Sequence, residues 1–326
     1  MAIDKKEQYT DFEKPIIDLY NKIEELKRAS AETGVDMTGE IESLQKRVES
    51  LYKVTMKDLT PYQRLQIARH PKRPTTLDLI SGVFDDWFEM KGDRLYRDDP
   101  SIIGGIAKFS GISVVFIGHQ KGNDTKSNVY RNFGMPHPEG YRKAMRLMRH
   151  AQKFNLPLIT FIDTPGAYPG IEAEERGQSN AIAESICLMS LLSVPSLAIV
   201  IGEGGSGGAL AISVADRIVM FENSVYSVIS PEGCASILFK DAKFADKAAS
   251  ALKMTSYDLL SLGIIDEIIE EPLGGAHRNK DLTIEKTKEC IKRNISNLLS
   301  LSDEERRRAK WNKYANMGRY ISPSTE

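Results

Sequence analysis

Short segments that are almost entirely apolar and rich in β-branched residues alternate with helical patterns along the middle of this 326-residue chain. Apolar runs of this length are typical of β-strands that are covered on both faces. The predicted strands span residues 112–117, 158–163, 197–201, 217–221, 225–229 and 264–269, and the helical patterns span 139–154, 174–192, 208–215 and 242–261. Because strands and helices alternate, we predict an α/β domain whose parallel strands are joined by right-handed crossovers.

The first 70 residues predict a helical arm. Two apolar stripes recur there at helical spacing on charged segments, formed by Ile16, Leu19, Ile23 and Leu26 and by Ile41, Leu44, Val48 and Leu51. Residues 33–36 supply a turn between the stripes, so we expect an antiparallel helical hairpin. The two prolines in residues 69–74 then interrupt the helical pattern. We therefore divide the chain into an arm (1–70), a body (71–277) and a C-terminal helical and polar extension (278–326).

Charge and cysteine usage exclude several classes of protein. The 44 basic residues are matched by 45 acidic ones, so the net charge is −1 and we expect no dedicated nucleic-acid site. Cys187, Cys234 and Cys290 form no C-x-x-C pair, which argues against a disulfide framework or a cysteine zinc site in this chain. The charged opening residues contain no apolar h-region, and the longest apolar run, around residues 194–202, is short and contains Pro195. We therefore expect neither a secretory signal nor a membrane span.

A glycine-rich segment, residues 202–208, lies between a predicted strand and a predicted helix and contains five glycines. Backbone N–H groups at such a junction stabilise negative charge. One interpretation is a dinucleotide site, with the G-x-G-x-x-G pattern at 202–207 and Glu222 as the ribose ligand. A second is a nucleophile elbow, with Ser206 as the nucleophile and Asp266 and His277 as partners. His277 lies in a polar turn, where we expect a solvated surface histidine.

A third interpretation requires no catalytic side chain. Two peptide N–H groups would form an oxyanion hole for an enolate or a urea-like anion. A second donor loop should then follow another strand, and residues 163–170, which contain two prolines and two glycines, follow the predicted strand 158–163. Residues 119–122 also resemble a functional loop that follows a strand, but the sequence defines no role for them.

Long collinear motifs give the chain a specific family resemblance. These motifs are RNFGM at 131–135, PEGYRKA at 138–144, FIDTPGAYPG at 161–170, EERGQ at 174–178, VIGEGGSGGALAI at 200–212 and YSVISPEGCASIL at 226–238. Together they resemble the carboxyltransferase α subunits of the multisubunit acetyl-CoA carboxylase, over residues 11 to 277. The resemblance implies a crotonase-like fold, a spiral of ββα units, here with an N-terminal helical hairpin and a C-terminal helical extension.

The resemblance also implies a reaction and partners. A carboxyl group passes from carboxybiotin on the biotin carboxyl carrier protein to acetyl-CoA, and the product is malonyl-CoA, in the first committed step of fatty acid synthesis. A carboxyltransferase β subunit of the same fold carries a zinc ribbon and completes an α₂β₂ assembly, so we expect no metal and no covalently bound cofactor on this chain. ATP is consumed by a separate biotin carboxylase. The implied location is the cytoplasm, with the plastid stroma as the alternative.

Carried onto this sequence, the resemblance assigns the N–H groups of Gly207 and Gly208 to the biotin ureido oxygen. We expect Gly166 and Ala167 to supply the matching donors from the second loop. Biotin enolate then takes the proton from the acetyl methyl group, so no protein base is needed.

Substrate-binding roles are assigned to a further set of residues. We expect Gly204 and Gly205 to allow close approach of the backbone. The cations on the predicted helix 139–154 are candidates for contacts with CoA phosphates or an acidic carrier, with a solvated helix face as the alternative. These cations are Arg142, Lys143, Arg146 and Arg149.

Overall fold

The computed structural model describes residues 11–318 of the 326-residue chain. The first ten residues of the predicted arm, which include the charged opening segment, and the last eight of the predicted extension lie outside the described residues.

The described chain begins with four α-helices, and strands and further helices follow. The helices are α1 (Lys14–Thr33), α2 (Thr38–Lys57), α3 (Pro61–Ala68), α4 (Thr76–Val83), α5 (Thr125–Tyr130), α6 (Pro138–Lys153), α7 (Ile171–Glu175), α8 (Gln178–Leu191), α9 (Ser206–Leu210), α10 (Pro231–Leu238), α11 (Ala245–Leu252), α12 (Ser256–Ser261), α13 (Lys280–Leu299) and α14 (Asp303–Ala315). The strands are β1 (Asp86–Glu89), β2 (Ile102–Phe109), β3 (Ile112–His119), β4 (Leu158–Thr164), β5 (Ser196–Gly205), β6 (Arg217–Phe221), β7 (Val225–Ser227) and β8 (Glu267–Ile269).

The strands form one mixed sheet in the order β1-β2-β3-β4-β5-β6-β8, with β7 paired to the end of β5. The β1, β2 and β3 strands pair antiparallel, whereas the pairs from β3 to β8 are parallel. The predicted α/β class with parallel strands is therefore confirmed. The carboxyl ends of β3, β4 and β5 meet at one edge of the sheet, which is where ligands bind in open α/β sheets.

Apolar side chains cover both faces of this sheet, as the strand composition predicts. On one face, Tyr141 and Leu147 of α6 pack with Ile212 in a cluster of buried residues. On the other face, Leu79 of α4 and Ile291 of α13 pack with the buried side of β3, β4 and β5. The sheet thus forms the central layer of the body, and its loops at the carboxyl edge are supported from both sides.

The predicted N-terminal hairpin is confirmed. The α1 and α2 helices pack along an apolar seam that contains Ile16, Ile23, Val48 and Tyr52. Gly34 ends α1 at φ 71° and donates its N–H to the Ser30 carbonyl, because a residue without a Cβ adopts this left-handed cap at little cost.

The C-terminal extension packs against the body through buried cations of α14. The guanidinium of Arg306 donates to the Ser193 carbonyl at 2.9 Å, and the ammonium of Lys310 donates to the Met189 carbonyl at 2.7 Å. Burial lowers the pKa of Lys310 to about 8. Among the described residues, no helix is both long and apolar enough to cross a bilayer.

Three predicted helices differ from the structure. The predicted helix 242–261 is divided into α11 and α12, with Lys253 at φ 50° between them. The predicted helix 174–192 is interrupted at Gly177, which takes φ 79° between α7 and α8. The predicted helix 208–215 is only the five-residue α9, and two carbonyls just after it accept hydrogen bonds from hydroxyl groups. Ser185 donates to the Ala211 carbonyl at 2.6 Å, and Thr160 donates to the Ile212 carbonyl at 2.7 Å.

Candidate active site

The two loops that the sequence singles out follow adjacent parallel strands and lie together. The loop that begins at Asp163 continues from β4, and the glycine-rich segment continues from β5 into α9. A Cβ built on Gly208 would lie 2.7 Å from the amide nitrogen of Ala167, and one built on Gly205 would lie 2.5 Å from the carbonyl carbon of Pro165. Because real side chains do not approach backbone atoms this closely, both positions require glycine.

A bulge in β5 produces this approach. The strand pairing passes from Ile162 opposite Val200 to Thr164 opposite Gly204, so three residues of β5 face one residue of β4. The backbone groups of the bulge are bound by side chains. The N–H of Glu203 donates to the Asp163 carboxylate at 3.0 Å, and the Ile201 carbonyl accepts from Arg73 at 2.6 Å. Bulges of this kind re-aim the end of a strand and are common beside active sites.

The N–H groups of Gly207 and Gly208 lie in the first turn of α9, where an α-helix leaves its donors without internal partners. Within residues 11–318, no side chain caps these donors. Ser206 begins the turn at φ 55°, an uncommon conformation for a residue with a Cβ. Since α9 has only five residues, the individual N–H groups rather than a long helix dipole would stabilise an anion here.

The second loop offers two candidate donors, the N–H groups of Gly166 and Ala167. The N–H of Gly166 donates to Thr164 Oγ1 at 3.0 Å, and the same hydroxyl donates to the Gly166 carbonyl at 2.7 Å. In this structure the N–H of Gly166 is therefore engaged by Thr164, which makes Gly166 the weaker candidate of the two. The amide of Ala167 is the stronger candidate donor of this loop.

Two buried side chains, Tyr141 and His119, lie next to Gly208 in the glycine-rich turn. The hydroxyl of Tyr141 lies 2.9 Å from the position of a Cβ on Gly208, and the tyrosine is fully buried. His119, at the end of β3, is also fully buried. Burial lowers the pKa of His119 to about 3, although the neighbouring carbonyl of Gly208 partly opposes this shift. The imidazole is therefore neutral at neutral pH, and it lies next to the Gly208 backbone.

An apolar pocket of about 410 Å³ lies beside Gly207. It is lined largely by apolar side chains, which include Leu210, Tyr226, Leu259, Tyr314 and Met317. Tyr314 and Met317 belong to the C-terminal extension, in which the sequence revealed no chemical motif. The pocket can therefore hold an apolar ring system next to the half-buried Gly207 at the start of α9.

Three of the four predicted cations of α6, namely Arg142, Lys143 and Arg146, have partners within the chain, whereas Arg149 is exposed. The side chain of Lys143 is fully buried, and its ammonium donates to the Asp98 carboxylate at 2.6 Å. Arg142 donates to the Arg176 carbonyl, and Arg146 donates to the Met90 carbonyl at 2.8 Å. The assignment of Lys143 to substrate binding is wrong, because its charge is neutralised inside the protein. Arg142 and Arg146 are half-buried and hold backbone carbonyls.

Gly204 and Gly205 serve close approach, as predicted, but the approaching groups belong to this chain. A Cβ on Gly204 would lie 2.6 Å from the ring of Tyr226, and Gly205 faces the loop at Pro165. No substrate contact follows from these distances.

The two alternative chemistries do not fit the geometry. Glu222, the candidate ribose ligand, accepts from the Tyr257 hydroxyl at 2.9 Å and from the Glu271 N–H at 3.0 Å. Asp266, the candidate partner of Ser206, instead accepts from Lys313 at 2.9 Å. These carboxylates are engaged in structural contacts.

His277 also differs from its predicted environment. Its ring stacks on that of His70 with centroids 3.8 Å apart, and burial lowers its pKa to about 2. The prediction of a solvated surface histidine is therefore wrong. Within residues 11–318, the structure groups no three His, Cys, Asp or Glu side chains in a way that could hold a metal ion.

Comparison with known proteins agrees with the motifs. A family model described as acetyl co-enzyme A carboxylase carboxyltransferase-like matches residues 9–318. The acetyl-coenzyme A carboxylase carboxyl transferase subunit alpha of Heliobacterium modesticaldum is 56% identical over 308 residues, which cover 94% of this chain and 92% of the relative. The protein of the same name from Thermus thermophilus is 53% identical over 313 residues, which cover 96% of this chain and 99% of the relative.

A solved structure supports the predicted crotonase-like fold. The transcarboxylase 12S structure with methylmalonyl-coenzyme A and methylmalonic acid bound superposes with a TM-score of 0.53 at 19% identity. The match covers 76% of this chain, which spans 43% of the transcarboxylase chain. At this identity the likeness concerns the fold alone, whereas the family model and the relatives cover nearly the whole sequence. The chain belongs to the family of acetyl-coenzyme A carboxylase carboxyl transferase alpha subunits.

Proposed function

We propose that this chain, assembled with a β subunit, transfers the carboxyl group of carboxybiotin to acetyl-CoA and forms malonyl-CoA. The observation that carries the proposal is the position of the Gly207 and Gly208 N–H groups. Neither is capped by a side chain within the described residues; Gly207 lines an apolar pocket, and Gly208 contacts the second loop at Ala167. Membership of the family indicates the reaction, and the geometry of the two loops suggests what this chain contributes to it.

The proposed chemistry places developing negative charge at these N–H groups. As the bond between biotin N1 and the carboxyl carbon breaks, its electron pair moves into the ureido group and charge builds on the ureido oxygen. N–H groups fixed at that position lower the barrier, and each such donor contributes a factor of about 10²–10³ in rate. The biotin enolate then takes a proton from the acetyl methyl group, and the carbanion attacks CO₂. No ionisable side chain of this chain takes part.

The pocket beside Gly207 provides space for the apolar portion of the biotin ring system. The rings of Tyr226 and Tyr314 face this pocket, and their hydroxyls are held by Ser213 at 2.7 Å and by the Ala215 carbonyl at 3.1 Å. Rings that are fixed in this way orient a bound ligand with little loss of side-chain entropy on binding. We assign the Ala167 N–H to the same anion or to the thioester enolate opposite it.

We further propose the partners that the resemblance implies. These are a zinc-containing β subunit in an α₂β₂ assembly, the biotin carboxyl carrier protein and biotin carboxylase. We propose a cytoplasmic location, with the plastid stroma as the alternative. The division into an arm, a body and an extension remains a proposal for the folding units of the chain.

The direct experiment measures malonyl-CoA-dependent carboxylation of biocytin. The chain alone should give no turnover, and addition of a β subunit of the same family should produce it. Turnover by the chain alone, or none with any such β subunit, would contradict the proposal.

The alternative hydrolase function is tested with Ser206→Ala. The Ser206 side chain is exposed, so we expect the assembled variant to keep its activity within about threefold. A nucleophilic serine would instead lose nearly all activity.

A further inference from the structure

The loop at residues 119–122, to which the sequence assigned no role, carries a lysine that bridges the ends of β4 and β5. The ammonium of Lys121 lies 2.8 Å from Asp163 Oδ1 and 3.2 Å from Glu203 Oε2. All three side chains are largely buried, with exposed fractions of 19%, 10% and 11%. We propose that Lys121 is a positioning residue that holds the two donor loops at their working distance by fixing the bulge of β5. This inference rests on the function proposed above.

Asp163 is the residue through which Lys121 acts. Its carboxylate accepts the Glu203 N–H at the bulge, at 3.0 Å, and Asp163 lies opposite the three bulged residues of β5. A Cβ built on Gly202 would lie 2.8 Å from Asp163 Cγ, so the carboxylate fills the space that a side chain there would need. Asp163 therefore determines how far the end of β5 is displaced, and with it the position of Gly204 to Gly208.

Electrostatics explain why a cation is needed at this point. Two carboxylates at the ends of adjacent strands repel each other when they are withdrawn from water. Glu203 also binds Arg69 at 2.7 Å, and Arg69 in turn binds Glu232 at 2.6 Å. Without Lys121, Arg69 would be the one cation of this cluster, beside the carboxylates of Glu203, Glu232 and Asp163. Asp163 would then have lost its cation partner in the cluster. Burial alone would raise the pKa of Glu203, but Lys121 and Arg69 hold it below its usual value.

A purely steric role for Lys121 is the competing explanation. Its aliphatic stem packs on Gly134, where a Cβ would lie 2.7 Å from Lys121 Cγ. Two substitutions separate the explanations. Lys121→Met keeps the stem and removes the charge. Lys121→Met combined with Asp163→Asn also removes the opposing charge at Asp163, while the amide oxygen still accepts the Glu203 N–H.

The experiment compares the assembled variants in malonyl-CoA-dependent carboxylation of biocytin. We expect Lys121→Met to lower kcat by about 10- to 100-fold with both KM values nearly unchanged, because a displacement of about 1 Å at donor groups has this effect. The double variant Lys121→Met with Asp163→Asn should have a kcat at least about tenfold higher than that of Lys121→Met alone. Lys288→Met, which removes a lysine that lies 3.7 Å from Asp85, serves as the matched control and should retain wild-type kinetics. A kcat of Lys121→Met within about threefold of the wild type, or no recovery in the double variant, would overturn the inference.

Amide hydrogen exchange on the full-length chain gives a readout that is independent of activity. Lys121→Met should accelerate exchange in residues 200–208 and 163–168, and the double variant should reverse the change. Unchanged exchange in both segments would overturn the inference even where the variant fails to assemble. Absence of turnover in the wild-type assembly would instead contradict the proposed function, without any bearing on the exchange result.

Discussion

Gly208 packs directly against the amide of Ala167, so that a Cβ at position 208 would lie 2.7 Å from that nitrogen. The contact joins the loop after β4 to the turn after β5, and it makes the two loops a single structural unit. Residues that fix either loop therefore control the geometry of both.

Thr164 provides the first prediction. Its hydroxyl accepts the N–H of Gly166 at 3.0 Å in a fully buried setting. Thr164→Val leaves this donor unsatisfied, so we expect a loss of about 1–3 kcal/mol in the free energy of unfolding and a fall in kcat. Urea denaturation and steady-state kinetics measure the two effects. Thr164→Ser keeps the hydroxyl and is the control; equal stability of the Val and Ser variants would contradict the assigned role.

Glu271 is the second test, and it concerns stability. Its carboxylate binds the buried guanidinium of Arg73, and it accepts the Ala276 N–H at 2.8 Å. Glu271→Ala leaves the cation buried without this partner and should cost roughly 3–5 kcal/mol in the free energy of unfolding. The neighbouring Glu270, which is 82% exposed and 3.6 Å from Lys286, is the matched control. Glu270→Ala should cost at most about 1 kcal/mol, and similar losses in both variants would show that the buried pair has no special role.

His119 contributes to the pH dependence of stability, as does His277. The unfolded chain protonates this side chain near pH 6.5, whereas burial lowers the pKa in the folded chain to about 3. Above pH 6.5 both states are neutral, so the effect is absent there. As the pH falls from 6.5 toward 3 the unfolded state binds the proton first, and folding loses up to about 1.4 kcal/mol per pH unit. His119→Gln should therefore flatten the decline in urea midpoint between about pH 6.5 and pH 5. An equally steep decline in the variant would refute this account.

Tyr314 tests the contribution of the C-terminal extension. Its ring lines the pocket beside Gly207. Tyr314→Ala should raise the KM for biocytin roughly tenfold, because about 1.4 kcal/mol of apolar contact is lost, and should leave the KM for malonyl-CoA unchanged. Tyr314→Phe keeps the ring and should stay close to the wild type. A change in the malonyl-CoA KM alone would place the acyl-CoA rather than biotin in this pocket.

The sequence predicts the parallel part of the sheet because its strands are mostly apolar. It does not predict β2, where Gly104 and Gly105 interrupt the apolar run. Those glycines are explained by contacts between elements distant in sequence: a Cβ on Gly105 would lie 3.1 Å from Glu89 Cα in the neighbouring strand. The residues around Gly105 in the sequence do not indicate such a contact.

The candidate site, like the sheet, could be predicted only in part from the sequence. The glycine pattern and the family motifs suffice to predict Gly207, Gly208 and Ala167 as candidate donors. The engagement of the Gly166 N–H could not be predicted, because it depends on the rotamer of Thr164 in the folded loop. The bridging role of Lys121 requires the register of β4 against β5, which the sequence alone does not define.

The central claim is that peptide N–H groups, and no ionisable side chain, carry this chain's share of the catalysis. Incorporation of glycolic acid at position 208 converts the N–H of Gly208 into an ester oxygen and preserves the shape of the turn. The kcat of the assembled enzyme in malonyl-CoA-dependent carboxylation of biocytin is the decisive measurement. We predict a loss of about 10²–10³ with the assembly intact. A kcat within about threefold of the unmodified enzyme would contradict the claim.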